Sequence, residues 1–365
     1  MPLVQRRPTY TPEEVSQHAT KDDLWVHYAG KVYNVSGFAE DHPGGLEVLL
    51  EYAGQDITEA FAKLHRHSDY AQMLLEDYQI GVLKDYQGDV LKGGAAVLVK
   101  DYQDNVPLKG YQDSVLVKEL PLSATMRERR DEEFLDLSKP LMPQVWANTW
   151  SKNYYLEQVH IPRYTSTTPV FFASPILEFF TKNTWYGVLI FWLPIIFLLT
   201  RYAAQSIPTV AAAHYYVDGL VLWTIYEYFF HRFVFHMDEA LPERPMALVV
   251  HFLIHGVHHF LPMDRYRLVM PPLLMSAFTI PVAITLRILF DAPIAAMLLA
   301  GSLTGYVAYD MIHYYSHHGT FLPKYVQRMK TYHMDHHYVN PNQGFGVSNM
   351  IWDVVFDTML PLRLP

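Results

Sequence analysis

Four long apolar stretches, near residues 184–200, 208–230, 268–290 and 293–312, crowd into the second half of the chain. A helix needs roughly 20 residues to cross the hydrocarbon layer of a bilayer. The bland alternative is four buried helices of a large soluble protein, but their density within so short a chain favours the membrane. Only residues 201–207 separate the first two stretches and 291–292 the last two, so each pair predicts a hairpin that returns to the side where it began. The connection 231–267 and the tail 313–365 then share one side. Ahead of the spans, Pro140, Leu141, Met142, Trp146, Trp150, Tyr154 and Tyr155 predict aromatic-rich segments at the lipid–water boundary.

The first part of the chain is different. Residues 9–84 read as a small α+β domain, with short alternations such as Leu24-Trp25-Val26 and Lys31-Val32-Tyr33-Asn34-Val35 set between turn residues. Residues 1–84 hold 7 Lys and Arg against 13 Asp and Glu, a net of −6 out of −9 for the whole chain. That balance offers nothing to offset phosphate repulsion and excludes nucleic acid as a partner. Met1 to Tyr10 contain no apolar run of the secretory kind, which predicts that this head stays in the cytosol, together with the segments on its side of the membrane. Residues 85–138 form a linker that contains an imperfect repeat at Tyr86-Gln87-Gly88-Asp89-Val90, Tyr102-Gln103-Asp104-Asn105-Val106 and Tyr111-Gln112-Asp113-Ser114-Val115. The membrane body is expected over 139–365.

No cysteine is present, which excludes disulfides, thiolate haem and iron–sulfur clusters. Nineteen histidines are, and ten fall in four groups: His231/His236, His255/His258/His259, His313/His317 and His333/His336/His337. Positions i, i+3 and i+4 share a helix face, so each of the last three groups is expected to point at one site. His231 and His236 lie five apart and need a frayed or tilted helix end to converge. A single histidine is best read as a hydrogen-bonded structural group. Ten at one membrane face would waste buried polar groups unless they hold metal, and ten ligands exceed what one ion accepts, so two ions are expected. Imidazole suits iron, zinc and copper alike. Glu227 and Asp310, each one turn before a candidate ligand, read either as groups that orient an imidazole through its second nitrogen or as ordinary helix-end polarity. His251 and His318 border the groups without fitting their spacing and read as spectators, while His214 and Asp218 lie inside the second span with no assigned role.

His42-Pro43-Gly44-Gly45, then Ala53-Gly54-Gln55-Asp56-Ile57-Thr58 and His67-Ser68, resemble the cytochrome b5 family over most of residues 9–84. The resemblance implies haem b held by two imidazoles. His42 is the first, and His67 matches the second better than His65 does. The histidine groups, with Tyr226-Glu227-Tyr228-Phe229-Phe230-His231-Arg232, Arg267-Leu268-Val269-Met270-Pro271-Pro272 and Tyr309-Asp310-Met311-Ile312-His313-Tyr314, resemble the fatty acid hydroxylase superfamily. With the fused head and the Asp136-Leu137-Ser138-Lys139-Pro140-Leu141 stretch, the chain is similar to the fungal type of fatty acid 2-hydroxylase.

This resemblance implies a cytochrome b5-like haem domain followed by an all-α membrane domain of four transmembrane helices, with a cytosolic dimetal site in the endoplasmic reticulum membrane. The ten histidines would hold two non-haem ions, iron expected and zinc possible as isolated. The reaction would be O2-dependent hydroxylation at C2 of an acyl chain, in ceramide or a long-chain fatty acid. Electrons would come from NAD(P)H through a separate flavoprotein of the cytochrome b5 reductase type, since no dinucleotide-binding glycine fingerprint is present. The rival readings are a cytochrome b5-fused desaturase, a sterol-modifying oxidase and a non-catalytic haem or metal sensor. His333 stands where the desaturases place a glutamine, and the added His313/His317 pair favours the hydroxylase.

Overall fold

The structure is a computed structural model and describes residues 8–42, 45–63, 69–84, 134–165, 167–319 and 322–361. His65, His67 and the repeat lie outside the described residues. The chain divides into two compact units between Phe134 and Leu135.

In the first unit five strands, β1 (Thr9–Tyr10), β2 (Ala19–Thr20), β3 (Asp23–Tyr28), β4 (Lys31–Asn34) and β5 (Gln79–Leu83), pair in the order β1-β5-β4-β3-β2. Only the β1–β5 pair is parallel. Ala29 and Gly30, both at positive φ (48° and 79°), make the tight β3–β4 turn, because that hand of turn matches the twist of the strands. Alternation along β3 gives the sheet two apolar faces. Leu24 and Val26 pack with Tyr33, Val35, Ala39, Ala53, Ile57 and Leu75, whereas Trp25 turns to Val15, Val32 and Leu83. Among the described residues four α-helices complete the unit: α1 (Pro12–Ser16), closed by a Thr11/Glu14 capping box, α2 (Leu46–Glu51), α3 (Thr58–Lys63) and α4 (Asp69–Asp77). The α+β head predicted from the alternations is present.

In the second unit the short helices α5 (Leu141–Ala147), α6 (Lys152–Val159) and α7 (Pro175–Phe179) precede four long ones. The long helices are α8 (Trp185–Ala204), α9 (Thr209–Phe229), α12 (Pro272–Leu289) and α13 (Ala292–His318). Between them lie α10 (Pro245–His251) and α11 (Val257–Phe260), and α14 (Lys324–Tyr338) and α15 (Ile351–Val355) follow. Residues 135–138, placed in the linker from the sequence, belong to this unit, where the Asp136 amide and carbonyl are both bound by the Gln144 side chain, each at 2.9 Å.

The four apolar stretches are four helices in two hairpins, with two corrections. The third helix starts at Pro272 and not at 268, because Pro271-Pro272 opens it. The fourth runs through His318 instead of ending near 312. Three of the four, α8, α12 and α13, are long and apolar enough to cross a membrane. α9 has the length, but it carries His214, Asp218 and Glu227. α8 and α12 expose Ile190, Phe197, Leu198, Ile280, Ile284 and Ile288 outward, as lipid-facing helices do.

α13 is the central helix. It packs against α9 through glycines, with Gly219 facing the Leu298 carbonyl and Gly301 the Tyr216 carbonyl. A Cβ added at these positions would stand 2.2 and 2.1 Å from those oxygens. The Ser302 hydroxyl donates to the Gly219 carbonyl at 2.9 Å across the same contact. Small residues let two backbones approach this closely where no hydrophobic effect drives helices together.

Candidate metal centre

Every histidine pair enters the site from a helix end. Beyond α9, Phe230–Phe235 form a π-helical turn in which the His236 amide donates to the His231 carbonyl at 3.0 Å. The five-residue step of this turn brings i and i+5 onto one face. His231 and His236 therefore converge without the fraying or tilt that the spacing called for. A second π-helical turn, Phe252–Gly256, leads into α11 and sets His255, His258 and His259. α13 supplies His313 and His317, and α14 supplies His333, His336 and His337.

The ten rings sort into two sets of five. His231, His236, His255, His259 and His336 form one, and His258, His313, His317, His333 and His337 the other. Within each set the candidate ligand nitrogens all lie within 4.8 Å of one another. This corrects the expectation that each three-histidine group points at one site. His255 and His259 stay together, as do His333 and His337, while His258 and His336 cross to the opposite set. The crossing residue stands 100° round the helix from its neighbour, so one motif serves both sites.

The close contacts are between Nε2 atoms. They measure 3.0–3.2 Å in the first set and 2.9–3.0 Å in the second. Nitrogens about 2.0–2.1 Å from a shared ion and at right angles to each other lie about 3.0 Å apart. The donor set therefore fits a metal ion in each pentad. Burial, with neighbouring imidazoles in support, holds His236, His255, His258, His259, His333, His336 and His337 well below the usual imidazole range. It pushes His231 down to about 4. Neutral rings are what a cation needs as ligands.

Backbone carbonyls orient two of the rings. With Nε2 turned inward the proton sits on Nδ1, and His231 donates to the Phe345 carbonyl at 2.5 Å and His336 to that of Gln343 at 2.7 Å. Glu227 does not reach an imidazole, contrary to the orienting role. It accepts from the Val347 and Ser348 amides at 2.8 and 2.6 Å and from the Ser348 hydroxyl, and so pins the loop that carries those carbonyls. Asp353 pins the same loop through the Phe345 and Gly346 amides at 2.9 and 2.8 Å. Asp310 likewise meets no ligand. It accepts from the Tyr306 hydroxyl at 2.8 Å and from the Met270 amide. We expect Asp353→Ala to loosen the first pentad roughly 10- to 100-fold while sparing the second. Metal retained per chain during a chelator challenge checks this, and equal loss from both sites would contradict it.

Sequence spacing missed His160, which belongs to no i, i+4 pattern. Its ring stacks on His236 (centroids 5.8 Å apart, 12° between planes) and meets His259 edge-on at 5.1 Å. His251, read as a spectator, is in neither pentad and hydrogen-bonds Tyr155 at 2.9 Å. His318 is in neither pentad.

A cavity of about 490 Å³ opens onto the centre. Its walls are apolar, with Phe172, Phe180, Leu253, Leu274 and Phe278 among them, and His255 of one pentad and His258 and His313 of the other line it too.

Both parts of the chain resemble known proteins. The family model described as fatty acid hydroxylase matches residues 216–358, and that described as cytochrome b5-like heme/steroid binding domain matches 11–84. The ceramide very long chain fatty acid hydroxylase SCS7 of Saccharomyces cerevisiae is 37% identical, over 96% of this chain and 94% of the yeast protein. This chain belongs to the fatty acid 2-hydroxylase family. A second member, the fatty acid 2-hydroxylase of Rattus norvegicus, is 32% identical over 97% of this chain and 95% of its own. A solved structure of full-length scs7p, in which only the hydroxylase domain is visible, superposes with a TM-score of 0.63 at 38% identity, covering 66% of this chain and 90% of that one. As a fatty acid 2-hydroxylase family member the protein is a hydroxylating oxidoreductase of lipid metabolism with apolar membrane helices and a fused haem-type domain.

In that domain the Nδ1 of His42 lies 3.3 Å from the Gly45 carbonyl, a contact that would orient the ring if it held iron through Nε2. Phe38 packs edge-on against the ring at 5.9 Å.

Proposed function

We propose that this protein hydroxylates C2 of the acyl chain of a ceramide-like lipid, using O2 and electrons passed through its own haem. The observation that carries the reading is the apolar cavity whose wall includes histidines of both pentads. An acyl chain held among Phe172, Phe180, Leu253 and Phe278 brings its polar end toward His255, His258 and His313. When bound, the two ions, iron by family likeness, supply the redox chemistry. One atom of O2 enters the C–H bond and the other leaves as water, consuming two electrons and two protons.

The charged side chains of the cavity wall are few and already engaged. Arg267, in the cavity wall, is already paired through both terminal nitrogens, with Asp264 at 2.9 Å and Glu178 at 2.6 Å. The remaining charged side chains of the lining, Glu227 and Asp310, are acidic. No side-chain cation of the lining is therefore left to meet a free carboxylate, and only the two ions, when bound, would offer it positive charge. The N-acyl lipid is taken as substrate in line with the ceramide in the yeast relative's name.

The four long helices are read as spans, with the pentads and the haem head on the cytosolic face of the endoplasmic reticulum. His42 and His67 hold haem b, and a flavoprotein of the cytochrome b5 reductase type reduces it with electrons from NAD(P)H. The test is lipid mass spectrometry on cells lacking their own 2-hydroxylase, with and without this protein. Ceramides heavier by one oxygen, with fragments placing the hydroxyl at acyl C2, are expected. Ceramides lighter by two hydrogens would favour the desaturase. Unchanged ceramides in cells supplied with haem, iron and reductase would overturn the reading.

A further inference from the structure

α9 has two opposed faces. One carries Ala212, Gly219 and Trp223 and is buried in the unit, with Gly219 against α13. The other is left outward and reads Val210, His214, Val217 and Val221, spaced four, three and four residues apart, with Ile225 beyond and Asp218 beside the seam. The four aliphatic residues are 70%, 54%, 53% and 40% exposed, and His214 and Asp218 are exposed with them. A four–three–four spacing is the seam of a helix pair. Neither His214 nor Asp218 makes a hydrogen bond or ion pair with any described residue.

The position makes this pair informative. At 1.5 Å per residue Asp218 lies about 14 Å from the start of α9 and about 16 Å from its end, near the midplane if the helix spans. Lipid offers an ionisable side chain at that depth no partner, and such groups normally pair with one another inside the membrane. The outer faces of α8 and α12 expose aliphatic and aromatic side chains such as Ile190, Phe197 and Ile284.

We propose that this face of α9 is the seam of a homodimer, in which His214 of each copy meets Asp218 of the other. The inference rests on reading α9 as a membrane span. The occupant is a second copy because the face is self-complementary: it carries one basic and one acidic group one turn apart. A twofold axis along the bilayer normal therefore makes both ion pairs at once. The branched side chains of Val210, Val217, Val221 and Ile225 fill the seam around them. The dimer leaves the α9–α13 contact and both pentads untouched.

The chain has no cysteine, so one introduced thiol reports alone. The experiment places Val217→Cys in the full-length protein, oxidises native membranes with copper phenanthroline and uses Ile284→Cys on α12 as the reference. The expected result is a disulfide-linked band of twice the chain mass for Val217→Cys, well above the reference. It should be lost when His214→Leu and Asp218→Leu are added, with ceramide hydroxylation unchanged. Cross-linking no greater than the reference, cross-linking indifferent to the leucine changes, or a cross-link to a protein of another mass would each overturn the proposal. Labelling of the same thiol by a membrane-impermeant maleimide separates the two levels. A shielded thiol that fails to cross-link removes the dimer alone, whereas a labelled thiol removes the span and the dimer with it.

Discussion

Replacing His255 and His259 together with alanine is expected to leave about one metal ion per chain and to abolish hydroxylation. The loss should exceed the roughly 100-fold that removal of an outer support costs a metal site. Both residues belong to the first pentad and leave the second with all five of its ligands. The matched comparison is His258→Ala with His336→Ala, two changes of the same chemical kind in the same motifs. These residues belong to different pentads, so this variant takes one ligand from each and should weaken both ions to a similar degree. Metal content by mass spectrometry of the purified full-length proteins distinguishes the two patterns. Parallel loss of both ions from the first variant, or loss of a single ion from the second, would refute the division into pentads.

Gly301→Val is expected to have an effect of similar size by a different route. A Cβ at Gly301 would stand 2.1 Å from the Tyr216 carbonyl, a backbone atom that moves only if α9 moves. Overpacking typically costs about 1–3 kcal/mol, and a backbone atom in the way puts this variant at the upper end. The cost spreads to the metals because α9 leads into His231 and His236 and α13 carries His313 and His317. A hinge opened between these helices moves ligands of both pentads apart. The expected result is a lowered melting temperature with both metals lost in parallel, even though no ligand has changed. A variant that melts lower yet keeps two ions would show that the helix contact supports the fold without setting the site.

The features that could be read from the residues are those written in local spacing. The two hairpins follow from apolar length and the short breaks at 201–207 and 291–292, and the head follows from alternation around Leu24-Trp25-Val26. The ten histidines are likewise visible as groups, and the structure brings all ten into two clusters. Their assignment was not legible, because i, i+3 and i+4 span one arc of about 100° and spacing alone does not say that His258 and His336, at its edge, serve the opposite set. His231 and His236 looked awkward for the same reason, since a π-helical turn leaves no sequence mark. Glu227 and Asp310 were placed correctly beside ligands along the chain, yet their carboxylates meet loop amides and Tyr306 instead. Distance along a helix does not fix the direction of a carboxylate. His160 is isolated in sequence and reaches the first pentad only through the tertiary fold.

The two π-helical turns give the site a particular kind of fragility. Each holds one residue more than an α-helical turn of the same reach, and that extra residue sets the phase of everything after it. Between His231 and His236 the number of intervening residues sets the placement of the second ring. Removing one would restore α-helical phase and swing the following imidazole by about 100°, turning a ligand away from its ion without touching a ligand codon. Variation in these segments is therefore expected to accumulate as substitutions, while insertions and deletions are excluded there and tolerated in stretches such as 85–118 that lie far along the chain from any ligand of the pentads.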